Sequence, residues 1–209
     1  MKTILAAVAA VALSAGAGSA STVGFHFGAG SPSQSGYYES AISQTKSGLS
    51  LTVTGMRCDD GKGPNHSSCS AVGGLGEWDN GIGLKKLNSS DSHKVDGAHS
   101  NEFLKLTFGK EVSLAKLAFS YFGSNDKFRL YSWSGSAWDY EGKGTSAVTY
   151  LASGVYTGSM FLLGATGDND AWKFKGVHAE VSPVPLPAAG WMLLAGLGGI
   201  AAMKRRKTS

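Results

Sequence analysis

The stretch Phe103–Tyr131, which reads FLKLTFGKEVSLAKLAFSYFGSNDKFRLY, contains the pattern that decides the fold class. Apolar residues alternate there with polar or small residues in three successive segments. The apolar positions are Leu104, Leu106 and Phe108, then Ala115, Leu117, Phe119 and Tyr121, then Phe128 and Leu130. A period of two puts alternate side chains on opposite faces, which is typical of half-buried β-strands. The sequence therefore predicts three strands, separated by turns at Gly109-Lys110 and Gly123-Ser124-Asn125.

Similar apolar segments occur outward from this stretch in both directions. They predict strands at Val23–Phe27, Leu49–Met56, Ala147–Leu151, Ser159–Gly164 and Ala171–Val181, and a turn at Gly135-Ser136. No segment of ten or more residues between the two chain ends has a helical period. We expect an all-β ectodomain over residues 21–182, an antiparallel and jelly-roll-like β-sandwich. Within the last strand the alternation changes parity at Gly176, which indicates a β-bulge.

The charges are distributed in a way that argues against a nucleic-acid partner. The formal net charge is +4, from 19 Lys and Arg against 15 Asp and Glu. Five of the cations lie near the chain ends, at Lys2 and at residues 204–207, whereas every acidic residue lies between Glu39 and Glu180. The middle of the chain therefore carries 14 positive and 15 negative charges. Nucleic-acid-binding domains need a basic face, so we predict no nucleic acid as a partner.

The N-terminus combines Lys2, an apolar run over Ile4–Leu13 and small residues that end at Ala20. This order is typical of a secretory signal peptide. Ten helical residues span about 15 Å, roughly half the hydrocarbon core of a bilayer, which is too short for a stable anchor. We predict a signal peptide over residues 1–20 that signal peptidase cuts after Ala20, with Ala17 as the alternative site.

The C-terminal residues 183–209 contain an uncharged apolar segment, Ala188–Met203, directly before the basic tail at 204–207. Sixteen helical residues cover about 24 Å, a short span that tilt or flanking residues can extend. Basic residues stay on the cytoplasmic side, so the middle of the chain is placed outside. We predict a transmembrane helix over 188–203 that anchors the chain in the inner membrane, with the ectodomain in the periplasm. Two prolines keep the preceding residues 184–187 extended and accessible.

The whole tail, VPLPAAGW followed by the glycine-rich apolar segment and the Lys-Arg cluster, resembles the VPLPA-CTERM sorting signal, a variant of the PEP-CTERM tail. The resemblance covers Val184–Lys207, and Leu186 stands where the parent pattern has Glu. It implies a Gram-negative bacterium and an exosortase-type membrane peptidase that cuts near Val184, Pro185, Leu186 and Pro187. It also implies a final location at the cell surface or in the extracellular matrix, associated with exopolysaccharide. Hydropathy alone leaves a plain membrane anchor as the alternative.

A second and looser resemblance concerns Leu75–Phe108. β-Sandwich ectodomains that precede PEP-CTERM-type tails have a Gly-Leu-Gly turn, an Asp, and a Glu that opens a strand ending in Phe. The matching positions are Gly74-Leu75-Gly76, Asp96, Glu102 and Phe108. This family has no agreed activity, so the resemblance implies the fold and nothing about chemistry.

Cys58 and Cys69 are the two cysteines of the chain, and glycine-rich loop residues lie between them. In an oxidising compartment, two cysteines this close most simply form a disulfide. Free thiols or a metal site are the alternatives, although two cysteines lack the further ligands that a zinc motif supplies.

Acidic residues in predicted loops raise the question of calcium. Asp96, Glu102, Asp168 and Asp170 are the candidate ligands, since Ca²⁺ takes six to eight oxygens. No EF-hand spacing is present, and the favoured interpretation is that these side chains accept hydrogen bonds from turn amides. We therefore expect no cofactor and keep calcium as the alternative.

No motif in the sequence indicates catalysis. Ser43-Gln44-Thr45-Lys46 spells the S-x-x-K pattern of penicillin-binding enzymes, but the S-D-N and K-T-G partners are missing. No H-E-x-x-H, G-x-S-x-G or phosphate-binding loop is present. We expect a protein without catalytic residues.

Four aromatic residues are the remaining candidates for ligand binding. Tyr131 and Trp133 share a face of one strand, Trp138 and Tyr140 share a face of the next, and Ser134–Ala137 is the predicted turn. On the solvent side they would form a stacking surface for sugar rings. The alternative is that the tryptophans cover one end of the core.

These observations predict an exported, non-catalytic protein of the cell surface or extracellular matrix. A carbohydrate-binding module is the first alternative, and exposure of the aromatic residues together would favour it. A glycan-acting hydrolase is the second, and it would need a polar cleft at residues such as Asp96, Glu102 or His99.

Overall fold

A computed structural model describes residues 20–28, 39–85 and 93–181, and these residues form thirteen β-strands and no helix. The strands are β1 Ser21–His26, β2 Ala41–Lys46, β3 Leu49–Asp59, β4 Ser70–Val72, β5 Leu75–Trp78, β6 Gly81–Leu84, β7 Val95–Asp96, β8 Ser100–Ser120, β9 Phe128–Trp133, β10 Trp138–Gly144, β11 Val148–Tyr150, β12 Thr157–Ala165 and β13 Ala171–Val181. Every ladder between them is antiparallel. The predicted all-β, antiparallel class is confirmed.

Strand β8 takes part in both layers of the structure. Its first half pairs with β3 and β12, which continue to β2 on one side and to β9 and β10 on the other. Its second half pairs with β13 and β11, and β13 also pairs with β1 and β6. Rings from the two layers meet between them: Phe25 lies 6.1 Å from Phe108, and Phe119 lies 4.7 Å from Phe128. This arrangement is consistent with a β-sandwich.

The turn predicted at Gly109-Lys110 is wrong. The backbone continues as strand from Ser100 to Ser120, and residues 109–111 are exposed where β8 passes from one layer to the other. Three exposed residues interrupt the buried pattern, so the sequence there resembles a turn. Pairing with β12 also shifts register here, between Gly158 and Met160, which accommodates the crossing.

The space between the layers is filled by aliphatic and aromatic side chains. The alternation that predicted the strands is present, because Leu104, Leu106 and Phe108 point into this core while Phe103 belongs to a separate cluster. The largest fully buried side chains of the core are Trp172, Phe25, Phe27, Phe128, Phe161 and Phe174. Burying a side chain of this size contributes about 1.5–3 kcal/mol, so this core is the main source of stability.

The bulge predicted at Gly176 is confirmed. The pairing of β13 with β8 shifts register between Phe174 and Gly176, and Trp172, Phe174, Val177 and Ala179 are all buried despite their different parity. A Cβ atom on Gly176 would lie 2.4 Å from the backbone oxygen of Phe25 on β1. Glycine is therefore required here by the close approach of the neighbouring strand.

The other predicted strands are present as β1, β3, β9, β11, β12 and β13, with boundaries that differ by up to three residues. The strand predicted after Ser134–Ala137 is present as β10, whereas strands β2, β4, β5, β6 and β7 were not predicted. The Gly-Leu-Gly turn is also wrong, because Leu75 begins strand β5 and the turn lies at Asp79-Asn80. Phe108 lies inside β8 and does not end it.

Residues 1–19 of the predicted signal peptide (1–20) and the whole predicted sorting tail (183–209) lie outside the described residues. Ala20, the predicted cleavage site, is exposed and directly precedes β1. Among the described residues, no helix has the length and apolar character needed to cross a bilayer. The two terminal segments, including Val184–Pro187 and the helix over 188–203, remain predictions.

Candidate functional site

The β9–β10 hairpin places four aromatic side chains on one face of a sheet. Its turn is the predicted Ser134–Ala137, closed by a 3.0 Å hydrogen bond from the Ser134 N–H to the Ala137 oxygen. Trp133 lies directly opposite Trp138, and Tyr131 lies directly opposite Tyr140. Residues opposite each other in an antiparallel pair share a face, so the structure brings together the four residues that the sequence analysis singled out.

The four rings form two cross-strand pairs with different exposure. The ring centroids are 5.0 Å apart for Trp133 and Trp138, tilted by 57°, and 5.4 Å apart for Tyr131 and Tyr140, tilted by 59°. Tyr140 is 55% exposed, the two tryptophans are half-buried, and Tyr131 is 6% exposed. Tyr131 is therefore the floor of this aromatic face, and the other three rings have surface that a ligand can reach.

A small apolar cluster supports the aromatic face from the neighbouring strands. Phe103, Leu162, Tyr131 and Cys58 are its buried members, and Trp138 packs against it. Phe103 and Tyr131 contact edge to face, with centroids 6.0 Å apart. Since this cluster lies on the outer side of the β8–β12–β9 sheet, the hairpin is supported from both faces.

The predicted disulfide between Cys58 and Cys69 is confirmed, and it holds the loop that covers this cluster. The buried Asn101 side chain donates to the Lys62 oxygen at 2.7 Å, which fixes the middle of the loop. Pro64 is buried although the residues on both sides of it are exposed. The loop thus packs on the protein at two points between its cysteines.

Asn65 connects this loop to the edge of the hairpin. Its side-chain oxygen accepts from the Trp138 N–H at 2.8 Å, and its side-chain nitrogen donates to the Trp138 oxygen at 2.9 Å. One amide side chain therefore satisfies both outward-facing backbone groups of an edge-strand residue, as a neighbouring strand would do. This contact fixes the backbone position of Trp138.

The opposite end of the hairpin is basic. Lys127, Arg129 and Lys143 are exposed and line a pocket of about 460 Å³ together with Ser124, Asn125, Gly167, Asp168, Asn169 and Asp170. Arg129 lies two positions before Tyr131 on β9, so the two side chains share one face of the sheet. Burial raises the pKa of the Tyr131 phenol, and the neighbouring Arg129 acts in the opposite direction. The aromatic face and the basic pocket are thus in contact.

Asp96 and Glu102 are also brought together, but in a buried network. The Glu102 carboxylate accepts from Arg57 Nε at 3.0 Å and from Arg57 Nη2, and from the Asp96 N–H at 3.0 Å. Burial raises the pKa of Glu102 to about 7, against the effect of these hydrogen bonds. The Asp96 carboxylate accepts from the Ala98 N–H at 3.2 Å. The Glu102 carboxylate therefore binds an arginine and a backbone N–H of the fold, and the Asp96 carboxylate binds a backbone N–H.

His99, the third residue named for a hydrolase, lines a pocket that these two carboxylates do not share. His99 lines a pocket of about 470 Å³ with Arg57, Asp59, Asp60, Ser68 and Ser100 among its other residues. Neither Asp96 nor Glu102 is among the residues that line it. Ser43 and Lys46, from the S-x-x-K pattern, lie on β2, where the Ser43 hydroxyl is 2.9 Å from that of Thr52.

The remaining calcium candidates lie beside the basic pocket. Asp170 is buried, and its two oxygens accept from the Lys127 and Gly167 N–H groups, each at 2.9 Å. Asp168 is exposed. Within residues 20–28, 39–85 and 93–181, no group of three or more His, Cys, Asp or Glu side chains is arranged to hold a metal ion. The structure shows the amide-binding role for Asp170, and calcium binding stays the untested alternative.

The comparisons with known proteins leave the family open. No protein-family model matches the chain, and no match was found among curated proteins. One solved structure, an X-ray structure of GH31 CBM32-2 bound to GalNAc, is similar over 79% of this chain and 100% of that one, at 12% identity and a TM-score of 0.32. A similarity at that score supports no conclusion about this chain, so the function is argued from its own residues.

Sequence reasoning found the four aromatic residues but missed Asn65, Arg129 and Lys143. Arg129 could have been found, because it precedes Tyr131 by two positions in the same alternation. Lys143 and Asn65 have no such signal, since their positions depend on a bulge and on the folding of the disulfide loop.

Proposed function

We propose that this chain is an exported, non-catalytic protein that binds polysaccharide through the aromatic face of the β9–β10 hairpin. The observation that carries the proposal is the arrangement of Trp133, Trp138 and Tyr140 as partly exposed rings on one face, above the buried Tyr131. Sugar rings have apolar faces that pack on aromatic rings, and polar groups at the rim then bind the hydroxyls.

The rigidity of this face supports a binding role. The disulfide loop fixes Trp138 through Asn65, and the Phe103 cluster holds Tyr131 in place. A ligand that binds preorganised rings does not lose binding energy to ordering them. A buried ring such as Tyr131 is explained by the stability of the fold. The exposed ring of Tyr140 adds little to that stability, so its exposure favours a role in binding.

The cellular part of the proposal comes from the two chain ends. Signal peptidase releases the N-terminus after Ala20, and the tail holds the jelly-roll-like ectodomain in the periplasm at the inner membrane. An exosortase-type peptidase then cuts near Val184–Pro187, and the protein joins the exopolysaccharide at the cell surface or in the matrix. The resemblance of the tail to VPLPA-CTERM signals is the support for this route.

The proposal includes the absence of turnover. Glycoside hydrolysis needs one carboxyl that protonates the leaving group and a second one across the scissile bond. The carboxylates of Glu102 and Asp96 accept hydrogen bonds from the fold and do not line the neighbouring pocket. This arrangement favours a structural role for both.

The test measures binding of the mature exported protein to the exopolysaccharide of its own cells, by affinity electrophoresis. The double variant W133A/Y140A should bind about 5- to 150-fold more weakly, because each stacked ring contributes about 0.5–1.5 kcal/mol, two rings contribute about 1–3 kcal/mol, and about 1.4 kcal/mol is a factor of ten. Y150A is the matched control, since Tyr150 is 77% exposed on β11 and lies outside the hairpin.

Three results would overturn the proposal. Equal binding by W133A/Y140A and Y150A would show that the aromatic face does not bind the polysaccharide. A complete loss of folding in the double variant, with single variants that bind normally, would show that the rings serve stability. Release of shorter sugars from the polysaccharide, lost in E102Q, would show that the protein is an enzyme.

A further inference from the structure

The basic pocket continues the aromatic face along the same hairpin. Arg129 lies directly opposite Lys143 on the hairpin. These two residues form the next pair on the aromatic face after Tyr131 and Tyr140, because the side chain of Leu130 between them points to the other face. At about 3.3 Å per residue, the four positions from Arg129 to Trp133 cover about 13 Å. The combined surface is long enough for more than one sugar ring.

A β-bulge places Lys143 on this face. Three positions separate Lys143 from Tyr140, and in a regular strand an odd separation would put the two side chains on opposite faces. The register shifts between Tyr140 and Gly142, and Gly142 has a φ of 149°, which favours glycine. The extra residue in β10 returns the side chain of Lys143 to the same face as that of Tyr140. Lys143 therefore lies beside Arg129 and not on the inner side of the sheet.

The cations of this pocket have no acidic partner within the described residues. The ion pair found in that part of the chain joins Arg57 to Glu102, on other strands. Of the two carboxylates that line the pocket, Asp170 is buried and accepts two backbone N–H groups, and Asp168 is exposed. Lys127, Arg129 and Lys143 therefore give this end of the face a positive potential directed at solvent.

We propose that the ligand of the aromatic face is an acidic polysaccharide, with its sugar rings on Trp133, Trp138 and Tyr140 and its oxyanion groups bound by Arg129 and Lys143. This proposal rests on the proposed function and specifies its substrate class. Arginine binds carboxylate or sulfate through two parallel N–H donors, and lysine adds a point charge. A surface with rings at one end and cations at the other matches a chain that carries both groups.

The experiment compares two probes that differ in charge and in one ester methyl per ring, with the full mature protein. Hexagalacturonic acid carries a carboxylate on every ring, and its fully methyl-esterified form has the same rings and linkages without charge. Isothermal titration should show at least tenfold tighter binding of the acid at low salt, and the advantage should shrink at high salt because exposed charges are screened. A sulfated hexasaccharide distinguishes sulfate from carboxylate as the preferred oxyanion, and sodium acetate alone tests whether the cations bind a free carboxylate without sugar.

The variants separate this proposal from the proposed function. R129Q/K143Q should lose about tenfold in affinity for the acid and nothing for the ester, whereas R129K, which keeps the charge but loses the two parallel N–H donors, should lose less than the double variant. K46Q/K110Q removes the same charge from exposed positions elsewhere and should change neither affinity. If acid and ester bind equally and W133A/Y140A loses both, the proposal of an acidic ligand is wrong. The proposed function, polysaccharide binding by the aromatic face, is then still supported. Binding of neither probe would overturn the acidic ligand, while the affinity electrophoresis with the cells' own exopolysaccharide decides the proposed function. Binding unaffected by W133A/Y140A would overturn both.

Discussion

The buried carboxyl of Glu102 should make the protein less stable as the pH rises. The side chain is 1% exposed, and burial raises its pKa from the ordinary value of 4.5 to about 7. In the unfolded chain the carboxyl returns to its ordinary pKa. Between pH 4.5 and 7 the folded protein therefore binds more protons than the unfolded chain, so the free energy of unfolding falls across this window.

The size of the effect follows from the two pKa values. One pKa unit corresponds to about 1.4 kcal/mol, so the stabilisation is about 3 kcal/mol, fully present below pH 4.5 and lost above pH 7. Between pH 5 and 8 most of it, about 2–3 kcal/mol, should disappear. His178 acts in the opposite direction, because burial, Lys116 and His26 lower its pKa and its contribution rises with pH.

Urea unfolding followed by tryptophan fluorescence at pH 5, 6, 7 and 8 measures this dependence. The E102Q variant removes the titrating group, so its free energy of unfolding should change by about 2–3 kcal/mol less than that of the wild type. E111Q is the matched control, since Glu111 is exposed on the same strand β8. Its profile should follow the wild type.

Parallel profiles for wild type and E102Q would refute this reasoning. They would mean that the ion pair with Arg57 keeps Glu102 ionised in the folded protein throughout this range. A buried carboxylate is stabilised by such a pair only when the attraction exceeds the cost of removing both charges from water.

Three further predictions concern the disulfide loop and the β13 bulge. Replacing Cys58 and Cys69 together by serine should lower the free energy of unfolding in urea by about 3 kcal/mol, since the bridge closes an eleven-position loop. Asn65→Ala should cost about 1–2 kcal/mol in thermal unfolding through two lost hydrogen bonds to β10, and Asn65→Asp, which keeps the acceptor, should cost less. Gly176→Ala should cost about 1–3 kcal/mol because its Cβ would lie 2.4 Å from a backbone oxygen, whereas Gly63→Ala, with no atom within 4 Å, should leave the melting temperature unchanged.

The sequence predicted those parts of the fold in which burial depends on local alternation. In the segments Leu104–Phe108, Leu117–Phe119 and Phe128–Leu130 the side chains of one parity face the core, and in the strand from Ala171 to Val181 the buried parity changes at the Gly176 bulge. The sequence wrongly predicted a turn at the crossing of β8, at residues 109–111. These residues are exposed to solvent, so they are polar or small like turn residues although their backbone is a strand. The short strands β4–β7 hold too few residues to show a period.

The candidate site likewise has one part that the sequence predicted and one part that it could not predict. The aromatic hairpin was predictable because its turn is signalled by Gly135 and its rings lie at alternate positions. The ion pair of Glu102 with Arg57 depends on the register between β3 and β8, across 45 positions of sequence. The position of Lys143 depends on one inserted residue in β10, and no local pattern reports such an insertion.

The ladder between β1 and β13 has a consequence for the order of folding events if the chain is exported along the proposed route. Ser21 pairs with Val181 and His26 pairs with Gly176, so the first strand to leave a translocation channel has the last strand as its partner. Pairings this far apart in sequence form slowly, because the intervening chain must first be closed into a loop. Until β13 emerges, β1 exposes unpaired backbone groups that a periplasmic chaperone or protease can bind. Folding is therefore completed only when the residues next to the predicted sorting tail have crossed the membrane, so a chain interrupted before Ala171 should be degraded and not displayed.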